Sequence, residues 1–176
     1  FLSNGIRYQR EIFASAPDQV IVVRITADKP ASISFTANLR GERNQAHSNY
    51  ATDYFRMDPY GEDGLLLTGK SADYMGITGA LRYEARVKAV PEGGAIKTNA
   101  VNLVITNADA VTLYFAAATN FVNYKDVSAD QHRRVDDYFK GIENKPYTGI
   151  LEQAVTDHKK YFSRASLQLP VTENSF

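Results

Sequence analysis

Seven residues, Val20-Ile21-Val22-Val23-Arg24-Ile25-Thr26, constrain this chain more than any others. Nearly all are β-branched, and side chains that are stiff at χ1 suit a pleated surface better than a helix. A run that is apolar at both even and odd positions also needs cover on both faces, or a path through the core of a sandwich. The strand before it, residues 6–15, alternates polar and apolar residues up to Phe13. The two are separated by Ala16-Pro17-Asp18-Gln19. Pro17 fixes its own φ and biases Ala16 toward an extended conformation, so the segment reads as a tight turn.

Further strands follow. Asn4-Gly5 is a two-residue hairpin signal ahead of residue 6. After the Asp28-Lys29-Pro30 turn, residues 31–39 place Ile33, Phe35, Ala37 and Leu39 on one face. Periodicity then fails between Arg40 and Gly64, which reads as a long irregular surface excursion. Strands resume over residues 65–69, 81–90, 100–106 and 110–117, with turns at Pro91-Glu92-Gly93-Gly94 and Asn107-Ala108-Asp109. Short polar turns with no intervening helices predict antiparallel sheets packed as a sandwich. After Thr119 the period changes. Ser128 and Gln131 fit a capping box, and Val135, Tyr138, Phe139 and Ile142 recur at helical spacing. A second helix starts with Pro146 in its first turn and carries Tyr147, Ile150, Leu151, Val155 and Phe162. A short extended piece, Leu167-Gln168-Leu169-Pro170, closes the pattern. The expected fold is mainly β, an antiparallel, supersandwich-like β-sandwich followed by two C-terminal linker helices. Its divisions are a sandwich over 1–120, a helical connector over 121–170 and a tail over 171–176.

Composition excludes several function classes. Twenty basic residues balance twenty acidic ones, and the longest basic runs are the pairs Arg133-Arg134 and Lys159-Lys160. Such a chain has no field with which to draw in nucleic acid. Cysteine is absent, which removes disulfides, thiol nucleophiles and thiolate metal sites. No apolar run approaches the roughly 20 residues of a membrane span. The opening Phe1-Leu2-Ser3-Asn4-Gly5 lacks the features of a signal peptide and reads as a cut inside a hairpin. On that reading any export signal and some sandwich strands lie upstream, and a truncated sandwich would be prone to self-pairing at its open edge.

Three blocks resemble one family. The first is Arg10-Glu11-Ile12-Phe13-Ala14-Ser15 with Pro17-Asp18-Gln19-Val20-Ile21-Val22-Val23-Arg24. The second runs from Leu66-Leu67-Thr68-Gly69-Lys70 through Arg82-Tyr83-Glu84-Ala85-Arg86-Val87-Lys88 and Glu92-Gly93-Gly94 to the strand ending at Asn120. The third is the closing helix, from Val155 through Asp157, Tyr161, Phe162 and Arg164 to Leu167. Together they resemble the N-terminal β-sandwich of bacterial glycoside hydrolase family 95, the α-L-fucosidase group. Ala154, His158 and Ala165 depart from the family's usual His, Tyr and Val. The resemblance implies a secreted or periplasmic enzyme with an (α/α)6 catalytic barrel downstream, acting on α-linked L-fucose or in some cases L-galactose with inversion. Inversion uses two carboxyl groups about 6.5–9.5 Å apart, and in this family they lie in the barrel. No catalytic residue is therefore carried over to this stretch. No cofactor is implied. The partners implied are the barrel of the same chain and, as candidates, glycans.

The residues themselves offer few rivals. Asp53, Asp58, Glu62 and Asp63, beside Tyr50, Tyr54, Phe55 and Tyr60, could make a sugar-contacting or calcium-binding loop, or simply a polar loop over a sheet edge. Residues 58–64 do not fit EF-hand spacing, since Pro59 and Tyr60 intrude. His47, His132 and His158 fall in different predicted elements, so no metal site is expected. No serine sits in a G-x-S-x-G elbow, and Ser15 reads as a strand-end residue. Gly76 and Gly79 read as turn residues rather than a phosphate cradle, and Tyr83 and Tyr114 as sheet packing. The expected role is a non-catalytic scaffold within a glycoside hydrolase. The alternative is a stand-alone carbohydrate-binding or adhesin-like sandwich, and a small enzyme in its own right would need a carboxylate pair that the sequence does not supply.

Overall fold

In the computed structural model, residues 1–41, 55–99 and 101–169 are described. Asn4 and Gly5 both take positive φ, +50° and +70°, and close a hairpin between β1 (Leu2–Ser3) and β2 (Ile6–Ser15). That is the geometry in which the Asn-Gly pair matches strand twist. β2 pairs antiparallel with β3 (Val20–Ala27), Ser15 opposite Val20 and Tyr8 opposite Ala27. β4 (Ile33–Asn38) leaves this sheet for a second one. β5 (Phe55–Tyr60), β6 (Gly64–Lys70), β7 (Arg82–Glu92), β8 (Ala95–Asn99), β9 (Asn102–Ala108) and β10 (Ala110–Thr119) complete the strands. The larger sheet has the order β1-β2-β3-β10-β7-β6-β5, and the smaller one β4-β9-β8. Every pairing is antiparallel, and the two sheets form the expected sandwich. Helices α1 (Gln131–Ile142) and α2 (Tyr147–Phe162) follow.

Strand alternation sorts the side chains into two cores. Between the sheets lie Ile33, Leu65, Val87, Ala89, Leu103, Ile105 and Val111, with Ile25, Leu113 and Phe115 packed against them. The opposite face of the larger sheet carries Val20, Val22 and Ala116, which meet Val135, Ile142 and Ile150 of the helices. β3 thus supplies Ile25 to one core and Val20 and Val22 to the other. This explains its largely apolar sequence: sheet covers it on one side and helix on the other. The helices are a third layer.

Several expectations are corrected. The irregular stretch read between Arg40 and Gly64 contains a strand, β5, paired with β6 from Phe55 opposite Gly69 to Tyr60 opposite Gly64. β5 contains Pro59, but among the described residues it is the last strand of its sheet, and a residue with no N–H to donate is tolerated on an edge. A second missed strand, β8, follows the Gly93-Gly94 turn directly. At Gly94, φ is +66° and an added Cβ would lie 2.2 Å from the Thr106 carbonyl oxygen, so the turn requires glycine. The N-cap of α1 is Asp130, not Ser128. Its carboxylate accepts from the backbone N–H groups of His132 and Arg133 at 2.9 and 3.1 Å. A carboxylate also gains from the positive end of the helix dipole, which a serine hydroxyl does not. Ser128 instead gives its N–H to Asp126. Pro146 is the N-cap of α2 rather than part of its first turn.

The apolar face expected for α2 is only half covered. Ile150 and Ala154 are buried, whereas Val155 is 41% and Phe162 is 72% exposed. The first turns of α2 rest on β2, and its second half extends past the sheet. The exit strand expected near residue 167 is not formed, since residues 165–169 join no sheet.

Candidate functional site

The residues with the most unusual surroundings lie on β7 beneath α1. Val87 and Ala89 point to the inter-sheet core, which leaves Glu84, Arg86 and Lys88 on the helix side. Glu84 is fully buried and the Arg86 side chain is only 6% exposed. Arg86 donates from Nε to Glu84 Oε1 at 3.0 Å and from Nη2 to the same oxygen. Its Nη1 reaches Asp136 Oδ1 of α1 at 2.7 Å and the Tyr60 hydroxyl at 2.9 Å. His132 Nδ1 takes the other Glu84 oxygen. The guanidinium lies 4.1 Å from the centre of the Tyr60 ring and 5.8 Å from that of Phe139. Burial works against the Arg86 cation, but the hydrogen bonds to Asp136 and Glu84 and the charge of Glu84 outweigh it, and the net shift is upward.

Beside this cluster is a cleft of about 350 Å³, open on one side, between β5, β7 and β10 and the C-terminal half of α1. Tyr60, Tyr114 and Phe139 give it aromatic walls, and Lys88, Lys140 and Glu143 a polar rim. Burial pushes the Tyr114 phenol above its ordinary value. At the far end Lys145 pairs with Asp18, whose side chain is fully buried and also accepts from Ser15 Oγ at 2.6 Å. Ser15 is the strand-end residue expected, and it helps to hold the Pro17-Asp18 turn against the α1–α2 junction. A further tie is Asn120, whose Oδ1 accepts from the Arg82 N–H at 2.8 Å and whose Nδ2 donates to the Ala80 and Val127 carbonyls at 3.0 and 2.8 Å.

The loop candidates do not converge. Asp58 pairs with Arg56 at 2.7 Å, Asp63 with Lys88 at 3.4 Å, and Glu62 is exposed in the β5–β6 turn. Of the described members of the group, Tyr60 joins the β7 cluster through its hydroxyl and ring. His47, Tyr50, Asp53 and Tyr54 lie outside the described residues. His158 stacks on Phe162 with ring centres 5.1 Å apart, remote in sequence and element from His132. Gly76, with φ +78°, lies in the tight turn bridged by Tyr74 and Ile77. Among the described residues no group of three or more His, Asp or Glu side chains could hold a metal ion, and no helix is long and apolar enough to cross a membrane. Sequence reasoning missed Glu84, Arg86 and Asp136. A signal was present, since opposite charges at i and i+2 of an apolar strand share one face and need partners there. Chemically the cluster is a clamp. One Glu84 oxygen is taken by the Arg86 guanidinium and the other by His132 Nδ1, so it is no free base, and Asp136 is tied to Arg86.

The model of the glycosyl hydrolase family 65 N-terminal domain matches residues 1–124. The chain belongs to this family of N-terminal domains. Alpha-L-fucosidase 2 of Arabidopsis thaliana is 27% identical over 181 residues, an alignment that takes in 94% of this chain and 21% of that protein. A solved protein from the human microbiome assigned as a kojibiose phosphorylase superposes with a TM-score of 0.53 at 11% identity, over 92% of this chain and 22% of the other. That likeness speaks for the fold alone. The chain spans about a fifth of the length of each of these proteins. Helices α1 and α2, and with them the clamp residues His132 and Asp136, lie beyond residue 124, outside the matched stretch, whereas Glu84 and Arg86 lie within it.

Proposed function

We propose that this family 65-type N-terminal domain is the non-catalytic scaffold of an inverting α-L-fucosidase of the family 95 kind, bacterial and secreted or periplasmic, acting on fucosylated glycans. The observation that carries the reading is the relation to alpha-L-fucosidase 2 along nearly the whole chain. The half-covered α2 supports a scaffold role. Val155, Tyr161 and Phe162, with Leu167 and Leu169 beyond the helix, leave a run of large apolar side chains exposed. A solvent-facing apolar run of this kind marks an interaction surface, and a catalytic domain of the same polypeptide would cover it. The clamp of Glu84, Arg86, His132 and Asp136 then fixes α1 on the sheet, and the Asp18–Lys145 pair fixes the start of α2. Both keep the connector rigid. The test is the full-length protein assayed on aryl α-L-fucoside, aryl α-L-galactoside and α-glucoside substrates, with the configuration of the first product followed by NMR. Release of β-L-fucose from the α-fucoside is expected. Cleavage or phosphorolysis of α-glucosides alone would overturn the fucosidase reading, and hydrolysis by residues 1–176 alone would overturn the scaffold reading. Recovery of the protein from the cytoplasm of its bacterial source would refute export.

A further inference from the structure

We infer that the cleft between β5, β7 and α1 is a binding site for a neutral sugar. Its volume of about 350 Å³ lies in the range of small-ligand sites. Its aromatic wall is held in place before any ligand arrives. The Tyr60 ring is backed by the Arg86 guanidinium at 4.1 Å, its hydroxyl is tied to Arg86 Nη1 at 2.9 Å, and 41% of the residue remains exposed. Phe139 and Tyr114 add apolar surface. A flat, immobilised aromatic beside fixed donors and acceptors suits the apolar face and hydroxyl edge of a pyranose, at little cost in ordering the protein.

Charge selects the class of ligand. The cleft is lined by four cations, Arg86, Lys88, Lys140 and Lys145, and by Asp136 and Glu143. Three further carboxylates, Glu84, Asp63 and Asp18, pair with those cations from behind. Four positive charges thus face five negative ones, so the site has no field for a phosphate, sulfate or uronate, nor a strong one for an amine. The carbonyl end of α1, at Ile142, also lies at the cleft and further disfavours an anion. A neutral polyol loses nothing here, because its hydroxyls both donate to the carboxylates and accept from the ammonium groups. That the sugar comes from the glycan substrate rests on the hydrolase reading above, whereas the chemistry of the cleft does not.

The experiment is hydrogen–deuterium exchange of the full-length protein with L-fucose, D-galactose or D-glucose, and with glucuronate and glucosamine as charged controls. Protection of peptides covering residues 55–60 and 136–145 is expected with a neutral sugar, at a Kd of about 1 mM. The substitutions Lys140→Ala and Tyr60→Ala should each weaken that protection by about tenfold or more. Lys140 is exposed and makes no side-chain bond within the clamp, so Lys140→Ala keeps the test valid if Tyr60→Ala fails to fold. No protection of these segments by any neutral sugar, protection by glucuronate or glucosamine alone, or equal protection in Lys140→Ala would each overturn the inference. Hydrolysis is assayed in parallel. Cleft protection without fucosidase activity upholds the site and sinks the fucosidase reading, and activity without protection does the reverse.

Discussion

Replacing Arg86 with methionine removes the cation but keeps most of the side-chain bulk. It leaves Glu84 at 0% exposure without the guanidinium that its Oε1 accepted from, and with only the contact to His132 Nδ1 remaining in the clamp. Because the two side chains are 0% and 6% exposed, the pair is not screened as a surface ion pair would be. Breaking a buried pair by removing one partner costs about 3–5 kcal/mol. The bond to Asp136, which is 45% exposed, adds no more than about 0.5 kcal/mol. For a chain of this size, about 3–5 kcal/mol lowers the melting temperature by roughly 6–20 °C. The double variant Glu84→Leu/Arg86→Met removes both charges and should return to within about 1 kcal/mol of the parent, or exceed it, because neither ion is then left unpaired. Arg86→Lys should fall between the parent and Arg86→Met, since an ammonium cannot bridge Glu84, Tyr60 and Asp136 at once. Urea unfolding followed by circular dichroism measures all four proteins. If Arg86→Met costs less than about 1 kcal/mol, or the double variant is no better than the single, the clamp does not hold α1 as argued.

Other perturbations test the remaining contacts. Asn120→Ala leaves the Arg82 N–H and the Ala80 and Val127 carbonyls without their partner, and should cost about 2–4 kcal/mol in the same assay. Ile150→Ala opens a cavity where α2 meets the sheet and should cost about 2–5 kcal/mol, with amide-exchange protection lost first in α2. The backbone N–H of Arg133, opposed by a smaller desolvation effect and joined by the N–H of His132, holds the Asp130 carboxyl below its ordinary 3.8. Its contribution to α1 is therefore fully present above that value and is lost as pH falls through the lower folded pKa. Asp130→Asn should flatten this acid limb of an NMR-monitored helix titration while leaving the helix capped.

Much of the sandwich was readable because a strand has a period of two. Ile33, Phe35 and Ala37 alternate, Val20 and Val22 oppose Ile25, and each reaches the core that its parity implies. Asn4-Gly5 and Gly93-Gly94 marked their turns because left-handed backbone is costly for most other residues. The misses have local causes. β5 alternates only over Phe55-Arg56-Met57-Asp58, has Pro59 within it and follows a long polar stretch, so its signal was lost in the irregular run before it. Val155 and Phe162 fit a helical stripe, but the stripe has no sheet beneath it.

Side-chain parity and turn chemistry are properties of neighbours along the chain, and they were enough to specify most of the strands, though not β5 or β8, and the two helices. Which element covers which face was not legible there. Arg86 meets Asp136 across 50 positions and Lys145 meets Asp18 across 127, and no local pattern records such a distance. The β-branched run from Val20 to Thr26 required cover on both sides. Folding in three dimensions put sheet on one side and helices on the other, and in doing so brought Tyr60, Arg86 and Phe139 together around one cleft.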